Sequence, residues 1–383
     1  MTIHIQEISP RNRKELKQFV KFPYRLYRQD PFWIPPLISG EMETLNPEKN
    51  PAYEHCDTKF LLAYNGKKIV GRVAGIINQR YNKQWNKRAV RFGWFEAVND
   101  MEVTTGLINA IAGWALEQGM EKMEGPMGFT TFDRTGILVK GFEEMPTFAG
   151  VHSPPYYVEH LEKLGFGKEI EYVEYELTVP EQIPDKAIKI SKLVAERYHL
   201  KLLQARTTRE ILPYAEQVFH VLNEAYKPLF GFVPLSEKQI KYFVRKYFSF
   251  VRPEFTTVVL DQQERVIGFQ ISMPSLSRAF QRAHGRLFPL GWLNLIRALR
   301  KPDRLDLMLT GILPEYQSKG VNSLYMVHLT GTAIAHGITY AESNSELEEN
   351  FKMQSFWRHF ESRQHRRSRI YSKSIISADE PVN

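Results

Sequence analysis

A chain of 383 residues exceeds what one hydrophobic core usually holds, so two domains, or three, are expected. Hydrophobic residues at 43% and charged residues at 25% exclude a disordered chain or a collagen-like fibre, and the single cysteine, Cys56, excludes a disulfide scaffold. The excess of 51 Lys+Arg over 43 Asp+Glu gives a net charge of +8, which favours anionic partners without choosing among nucleic acid, a phosphorylated cofactor and an acidic membrane surface.

The chain opens Met1-Thr2-Ile3-His4, without a basic and then apolar leader. Its uncharged run 103–116 is shorter than the roughly 20 residues of a membrane span. The longer run 320–341 is interrupted by Asn322, His328, His336 and several threonines and glycines. A soluble, cytoplasmic protein is expected, with Cys56 a free thiol in a loop and no metal site.

In chain order, Ile3 to Ile8 alternates like a strand and Lys14 to Tyr27 carries apolar residues at helical spacing. Phe60 to Tyr64, Asn65-Gly66 and Ile69 to Ile77 form the strongest hairpin signal, because Asn-Gly supplies the positive φ of a tight turn. Arg91 to Val98 predicts a strand, Val103 to Trp114 a helix stopped by Gly119, and Lys122 to Pro126 the next strand. The order then returns: a hairpin over 255–260 and 266–273, a strand over 305–313, a helix over 321–335 stopped by Gly337, and a strand over 338–343. Gly71 to Gly119 spans 48 positions and Gly268 to Gly337 spans 69, so the second copy carries about 21 extra residues, within 275–304. The Pro-flanked stretch Val179-Pro180 to Pro184-Asp185 marks the boundary. Two α/β domains are expected, over 1–179 and 180–383.

Dinucleotide, Walker, nucleophile-elbow and zincin motifs are absent from the sequence. One junction carries chemistry: strand Leu307-Met-Leu-Thr-Gly-Ile-Leu-Pro314, turn Glu315-Tyr-Gln317-Ser-Lys-Gly320, then a helix from Val321-Asn322. A strand, turn and helix start in succession present free backbone N–H groups and the positive end of a helix dipole to one point, which suits a pyrophosphate. Gly320 permits close approach and Lys319 adds charge, while Asn322 reads as a good helix cap.

This junction resembles the Gln/Arg-x-x-Gly-x-Gly/Ala acyl-CoA signature of the GNAT acyltransferase superfamily: Gln317 and Gly320 match, and Asn322 departs from the small third residue. Further along the chain, Asp30-Pro-Phe-Trp-Ile-Pro-Pro36, Asn50-Pro-Ala-Tyr-Glu-His55, Gly71-Arg-Val-Ala74, Phe92-Gly-Trp-Phe-Glu96, Gly136-Ile-Leu138, Pro154-Pro-Tyr-Tyr157 and Leu347-Glu-Glu-Asn350 resemble the bacterial YghO-like family of tandem GNAT proteins. The resemblance implies two tandem GNAT-like domains, each a central mixed sheet flanked by helices. It also implies acyl-CoA-dependent N-acyl transfer from acetyl-CoA or a longer acyl-CoA to a small-molecule amine. By the same resemblance, Ile312, Leu313, Gln317, Ser318, Lys319, Gly320, Val321, Asn322 and Asn350 would bind the cofactor.

In the first copy the equivalent junction reads Val98-Asn-Asp100-Met-Glu102. These carboxylates repel a phosphate and are expected to cap a helix, leaving this half a degenerate domain that shapes the cleft.

An amine of pKa about 10.4 is neutral only about once in a few thousand molecules at pH 7, so a base is needed. By position at the ends of the central strands, Glu342 and Asn344 are the candidates. The helix over 350–360 carries Phe356 and Trp357 where GNAT members usually place a tyrosine acid. That departure keeps a second reading open, a non-catalytic ligand-binding or peripheral membrane-associated protein.

The insert has Arg278, Arg282, Arg286, Arg297, Arg300, Lys301 and Arg304 against Asp303 alone, interleaved with Phe280, Phe288, Leu290 and Trp292. Contact with an anionic membrane through 278–304, a lid over the cleft, and an ordinary packed helical insertion are all compatible with this pattern; nucleic acid ranks last. The basic run His365-Arg-Arg-Ser-Arg369 reads as a solvated stretch before a strand over 370–375.

Overall fold

A computed structural model describes residues 3–376. The described residues divide into two compact units: 3–173 with 277–294 and 365–376, and 174–276 with 295–364. Among the described residues, no helix is long and apolar enough to cross a membrane.

Unit 1 is built on β1 (Ile3–Ile8), β2 (Cys56–Asn65), β3 (Lys68–Asn78), β4 (Ala89–Ala97), β5 (Lys122–Gly125) and β6 (Ile137–Lys140). Strands β1 to β4 are antiparallel neighbours, and β5 joins β4 in parallel through Ala89↔Lys122 to Arg91↔Glu124. The helix Met101–Glu117 lies on this sheet, with Asp100 as its cap, donating nothing and accepting from the N–H of Glu102 at 2.9 Å. A Cβ on Gly71 would stand 2.8 Å from the side chains of Leu107 and Val103, so only glycine admits this helix so closely.

The next strand, β7 (Gly167–Thr178), closes the first copy in sequence. Unit 2 repeats the pattern with β8 (Lys201–Leu202), β9 (Thr256–Leu260), β10 (Val266–Pro274), β11 (Arg304–Ile312), β12 (Tyr340–Ser343) and the short β13 (Glu346–Leu347). Antiparallel pairing runs from β8 to β11, and β12 joins β11 in parallel. The helix Asn322–Ala335 takes the place of Met101–Glu117, and Gly268 makes room for the Tyr325 hydroxyl as Gly71 does for Leu107.

The copies exchange their last strands. The sheet of unit 2 is completed by β7, through Tyr340↔Thr178 to Glu342↔Glu176. The sheet of unit 1 is completed by β14 (Ser362–Ser374), through Tyr371↔Gly125 to Ser374↔Lys122.

Three local expectations change. Cys56 begins β2 rather than sitting in a loop; it is buried, and burial pushes its thiol up to about 12. The run 365–369 is not solvated and lies inside β14. Arg366 is fully buried, donating to the carbonyls of Gly141, Glu144 and Val151, and Glu171 accepts from both Arg367 and Arg369. The extra residues of the second copy form two helices, Ser277–Ala283 and Gly291–Arg300, and 277–294 fold with unit 1.

Candidate active site

In unit 2, β11 and β12 pair only from Arg304↔Tyr340 to Leu307↔Ser343. Beyond that point β12 ends and β11 continues to Ile312, leaving Leu309 to Ile312 unpaired on this side. The β10 register steps from Ile271↔Leu309 to Ser272↔Leu307, so Met308 bulges from β11 where the sheet splays. Asn344 lies at the fork: its N–H donates to the Leu307 carbonyl at 3.0 Å and its side-chain amide to the Met308 carbonyl at 3.4 Å.

The loop at the end of β11 carries the residues from which an anion site was expected. Ser318 and Gly320 take φ of 60° and 80°, and a Cβ on Gly320 would meet Val194 at 3.1 Å. Among the described residues, the N–H groups of Ser318, Lys319, Gly320 and Val321 make no backbone hydrogen bond. The Lys319 ammonium stands 5.3 and 5.2 Å from the ring centres of Tyr198 and Tyr316, which hold it by cation–π attraction. These donors and this charge fit a pyrophosphate.

Other expected contacts are already taken. The Leu313 N–H donates to the Ile267 carbonyl, and the Gln317 side-chain amide to the Ile312 carbonyl at 3.2 Å. Asn322 is not the cap: Val321 occupies that position without a side-chain hydrogen bond, and Asn322 is the first helical residue. Asn350 caps a helix shorter than expected, Phe351–Trp357, accepting from the Met353 N–H at 3.3 Å.

Glu342 sits in the paired part of the sheet, 2% exposed, in register with Asp306 on β11 and Glu176 on β7. Arg304 spans this row, 2.7 Å from Glu176 and 3.6 Å from Glu342. Asp306 is fully buried, with the Ser275 side chain as its hydrogen-bond partner. Burial first, then the Glu342 charge, pushes Asp306 well above the usual carboxylate range.

Nearer the fork are two groups that sequence reading missed. Glu346 is pushed up to about 8 by burial, against the indole N–H of Trp357 and the Ser343 hydroxyl, which hydrogen-bond its carboxylate. Tyr226, the last residue of the helix Ala215–Tyr226, is pushed up to about 12 by burial, opposed by a backbone hydrogen bond from Thr310; the Glu346 charge adds a smaller upward push. Thr310 lies on the unpaired stretch of β11. A carboxyl that titrates near neutrality and a neutral phenol thus flank the place where the sheet opens.

Unit 1 has its own fork, since β4 continues past Arg91 while β5 ends at Gly125. Between Arg72↔Glu96 and Ala74↔Gly93 the register slips, and Trp94 takes a φ of 47°. Past this bulge, the Glu96 carboxylate accepts from the hydroxyls of Tyr27 and Tyr157 and stands 3.9 Å from Arg72. Burial raises the Glu96 carboxyl, with Arg72 opposing, yet its side chain keeps 16% exposure. The Asp100 and Glu102 carboxylates occupy the neighbouring helix start, as the sequence led one to expect.

A mixed sheet in which two central strands, β4 and β11, each carry a bulge and fork from a parallel neighbour defines the tandem GNAT fold. The tandem GNAT protein from the clavulanic acid biosynthesis pathway superposes with a TM-score of 0.57 over 99% of this chain and 100% of that one, at 10% identity. A GCN5-related N-acetyltransferase from Sphaerobacter thermophilus does so with a TM-score of 0.50 over 98% and 96%, at 8% identity. In sequence, the chain is similar to Protein YghO of Escherichia coli (strain K12), 27% identical over 380 residues, covering 95% of this chain and 94% of that protein. It is also similar to the bacterial ceramide synthase of Caulobacter vibrioides, 26% identical over 372 residues, covering 94% and 95%. No family model matches the chain.

Proposed function

We propose that the protein is an acyl-CoA-dependent N-acyltransferase with its chemistry in unit 2. The observation that carries this reading is the joint occurrence, on one strand, of an anion-suited loop at its end and a fork with titratable groups just before it. The diphosphate of CoA would take the N–H groups of Ser318 to Val321 with Lys319 beside them, and the unpaired edge of β11 would accept the pantetheine amides. When bound, acyl-CoA supplies an activated thioester carbonyl.

The acceptor nitrogen must lose a proton as it bonds to that carbonyl and the carbon–sulfur bond breaks. Glu346 is the better base than Glu342, because it titrates near the operating pH and lies by the fork rather than in the paired row with Asp306. Tyr226, neutral at physiological pH, can return a proton to the departing thiolate. A ceramide is an N-acylated long-chain amino alcohol, so the name of the Caulobacter relative favours a fatty acyl donor and a long-chain amine. The reading is tested by following thiol release from acyl-CoA of graded chain length with a panel of amines; it fails if no pair of donor and amine releases thiol above the hydrolytic background.

A second reading rests on Glu96, a raised carboxylate held by two tyrosines at the fork of unit 1. There the first copy would bind an amine at a site of its own. If so, Glu96→Gln should weaken equilibrium binding of an amine to the protein while leaving CoA binding unchanged.

A further inference from the structure

The segment 277–294 has a fixed base and a free tip. At its base the Ser277 hydroxyl donates to the Pro146 carbonyl at 2.9 Å, and Phe280 stacks on Phe148 with ring centres 5.6 Å apart. The Gln281 amide donates to the Pro31 carbonyl at 2.7 Å, and the Ile38 N–H to the Gly285 carbonyl at 3.0 Å. Gly285 has a φ of +73°, and a Cβ there would collide with the Tyr24 ring, so this anchor is rigid and specific for glycine.

Past Gly285 the apolar side chains stop pointing into a core. Phe288 is 79% exposed, Leu290 66% and Trp292 40%. The tip is nonetheless ordered by its own bonds: the Trp292 N–H donates to the Leu287 carbonyl at 2.8 Å, and its indole N–H to the Pro289 carbonyl at 2.9 Å. Trp292 has therefore satisfied its one side-chain polar atom within the loop and can leave water without losing a hydrogen bond. Beside the tip, Arg282 and Arg286 are exposed, and among the described residues neither has an ion-pair partner. No Asp or Glu occurs from 278 to 294.

We infer that this loop is an interfacial anchor that inserts Phe288, Leu290 and Trp292 into the surface of an anionic lipid bilayer, with Arg282 and Arg286 on the phosphate groups. Three large apolar groups on a rigid stalk suit an acyl-chain boundary, which gains from their burial wherever they enter. Trp is at home at that depth, and arginine stems can lie along apolar surface while the guanidinium reaches phosphate. The uniformly positive rim selects an anionic surface over a neutral one. The inference is independent of the N-acyltransfer reading.

The test is co-sedimentation of the full chain with vesicles of phosphatidylglycerol and phosphatidylcholine in equal parts, against phosphatidylcholine alone. The wild type should pellet with the anionic vesicles only. A Phe288→Ser/Leu290→Ser/Trp292→Ser variant and an Arg282→Glu/Arg286→Glu variant should each bind them roughly 10-fold or more weakly. Because these side chains are exposed, both variants should keep the wild-type melting midpoint, which separates lost anchoring from misfolding. As a second readout, Phe288→Cys can be labelled with an environment-sensitive fluorophore, since Cys56 is buried; its emission should shift to the blue with anionic vesicles. Failure of the wild type to bind, equal binding to neutral vesicles, or unchanged binding of folded variants each overturns the inference, including the case in which the tip instead seats a protein partner or nucleic acid.

Discussion

The indole nitrogen of Trp357 lies 2.9 and 3.1 Å from the two carboxylate oxygens of Glu346, a forked contact on β13 just past the end of β12. Burial alone would push this carboxyl higher, and the indole pulls it back to about 8. In an acyl transfer that uses Glu346 as base, the rate should rise with pH through a limb near that value. Glu346→Gln should remove the limb and cost about 10²–10⁴-fold in turnover. Trp357→Phe removes a donor that favours the ionised form, so the limb should move to higher pH. A pH–rate profile of each variant is the check.

Gly320→Glu should abolish binding at the loop after β11. It places a carboxylate beside the free N–H groups and forces a side chain into a left-handed backbone with Val194 3.1 Å away. Lys319→Ala should weaken CoA affinity more mildly and reduce its salt dependence, because one cation is lost from the phosphate site. Isothermal titration with CoA at two salt concentrations reads both effects.

Asp306 carries a pH dependence of stability whose sign is fixed by the direction of its shift. Its folded carboxyl holds its proton to higher pH than the unfolded chain does, so the stabilisation is complete below the unfolded value and declines as pH rises toward the folded one. Asp306→Asn removes this charge from beside Glu342 and should flatten the decline. Denaturant midpoints measured from below the ordinary Asp value of about 3.9 up to alkaline pH would show the two curves converging in acid and the variant ahead in base.

Arg366→Met should destabilise the protein by about 2–4 kcal/mol, since the carbonyls of Gly141, Glu144 and Val151 would lose their charged donor in a buried place. Urea unfolding measures this loss directly.

Periodicity alone made most of the fold legible. The β2–β3 hairpin, the helix after β4 and their second copies bury apolar residues at the expected spacing, and Asn65-Gly66 turns where it should. Strand β14 was half hidden because three of its five buried positions, His365, Arg366 and Ser368, are polar, and Arg366 is held there by carbonyls rather than by hydrophobic packing. The docking of 277–294 on unit 1 depends on Phe280 meeting Phe148, a contact between distant parts of the chain that no local pattern encodes.

The loop Gln317–Gly320 was visible from its glycine and its place between strand and helix. Glu346 and Tyr226 were not, because each alone reads as an ordinary polar residue. Only folding puts a helix end and a short strand some 120 positions apart in sequence at the same fork.

The measurement that bears most directly on the proposed activity is single-turnover thiol release from a long-chain acyl-CoA in the presence of a long-chain amine, with the amide product identified by mass. Stoichiometric amide formation by the wild type, lost in both Gly320→Glu and Glu346→Gln while only Gly320→Glu loses CoA binding, is the expected result. Amide formation at the wild-type rate in Glu346→Gln, or none by the wild type with any donor and amine, would contradict it.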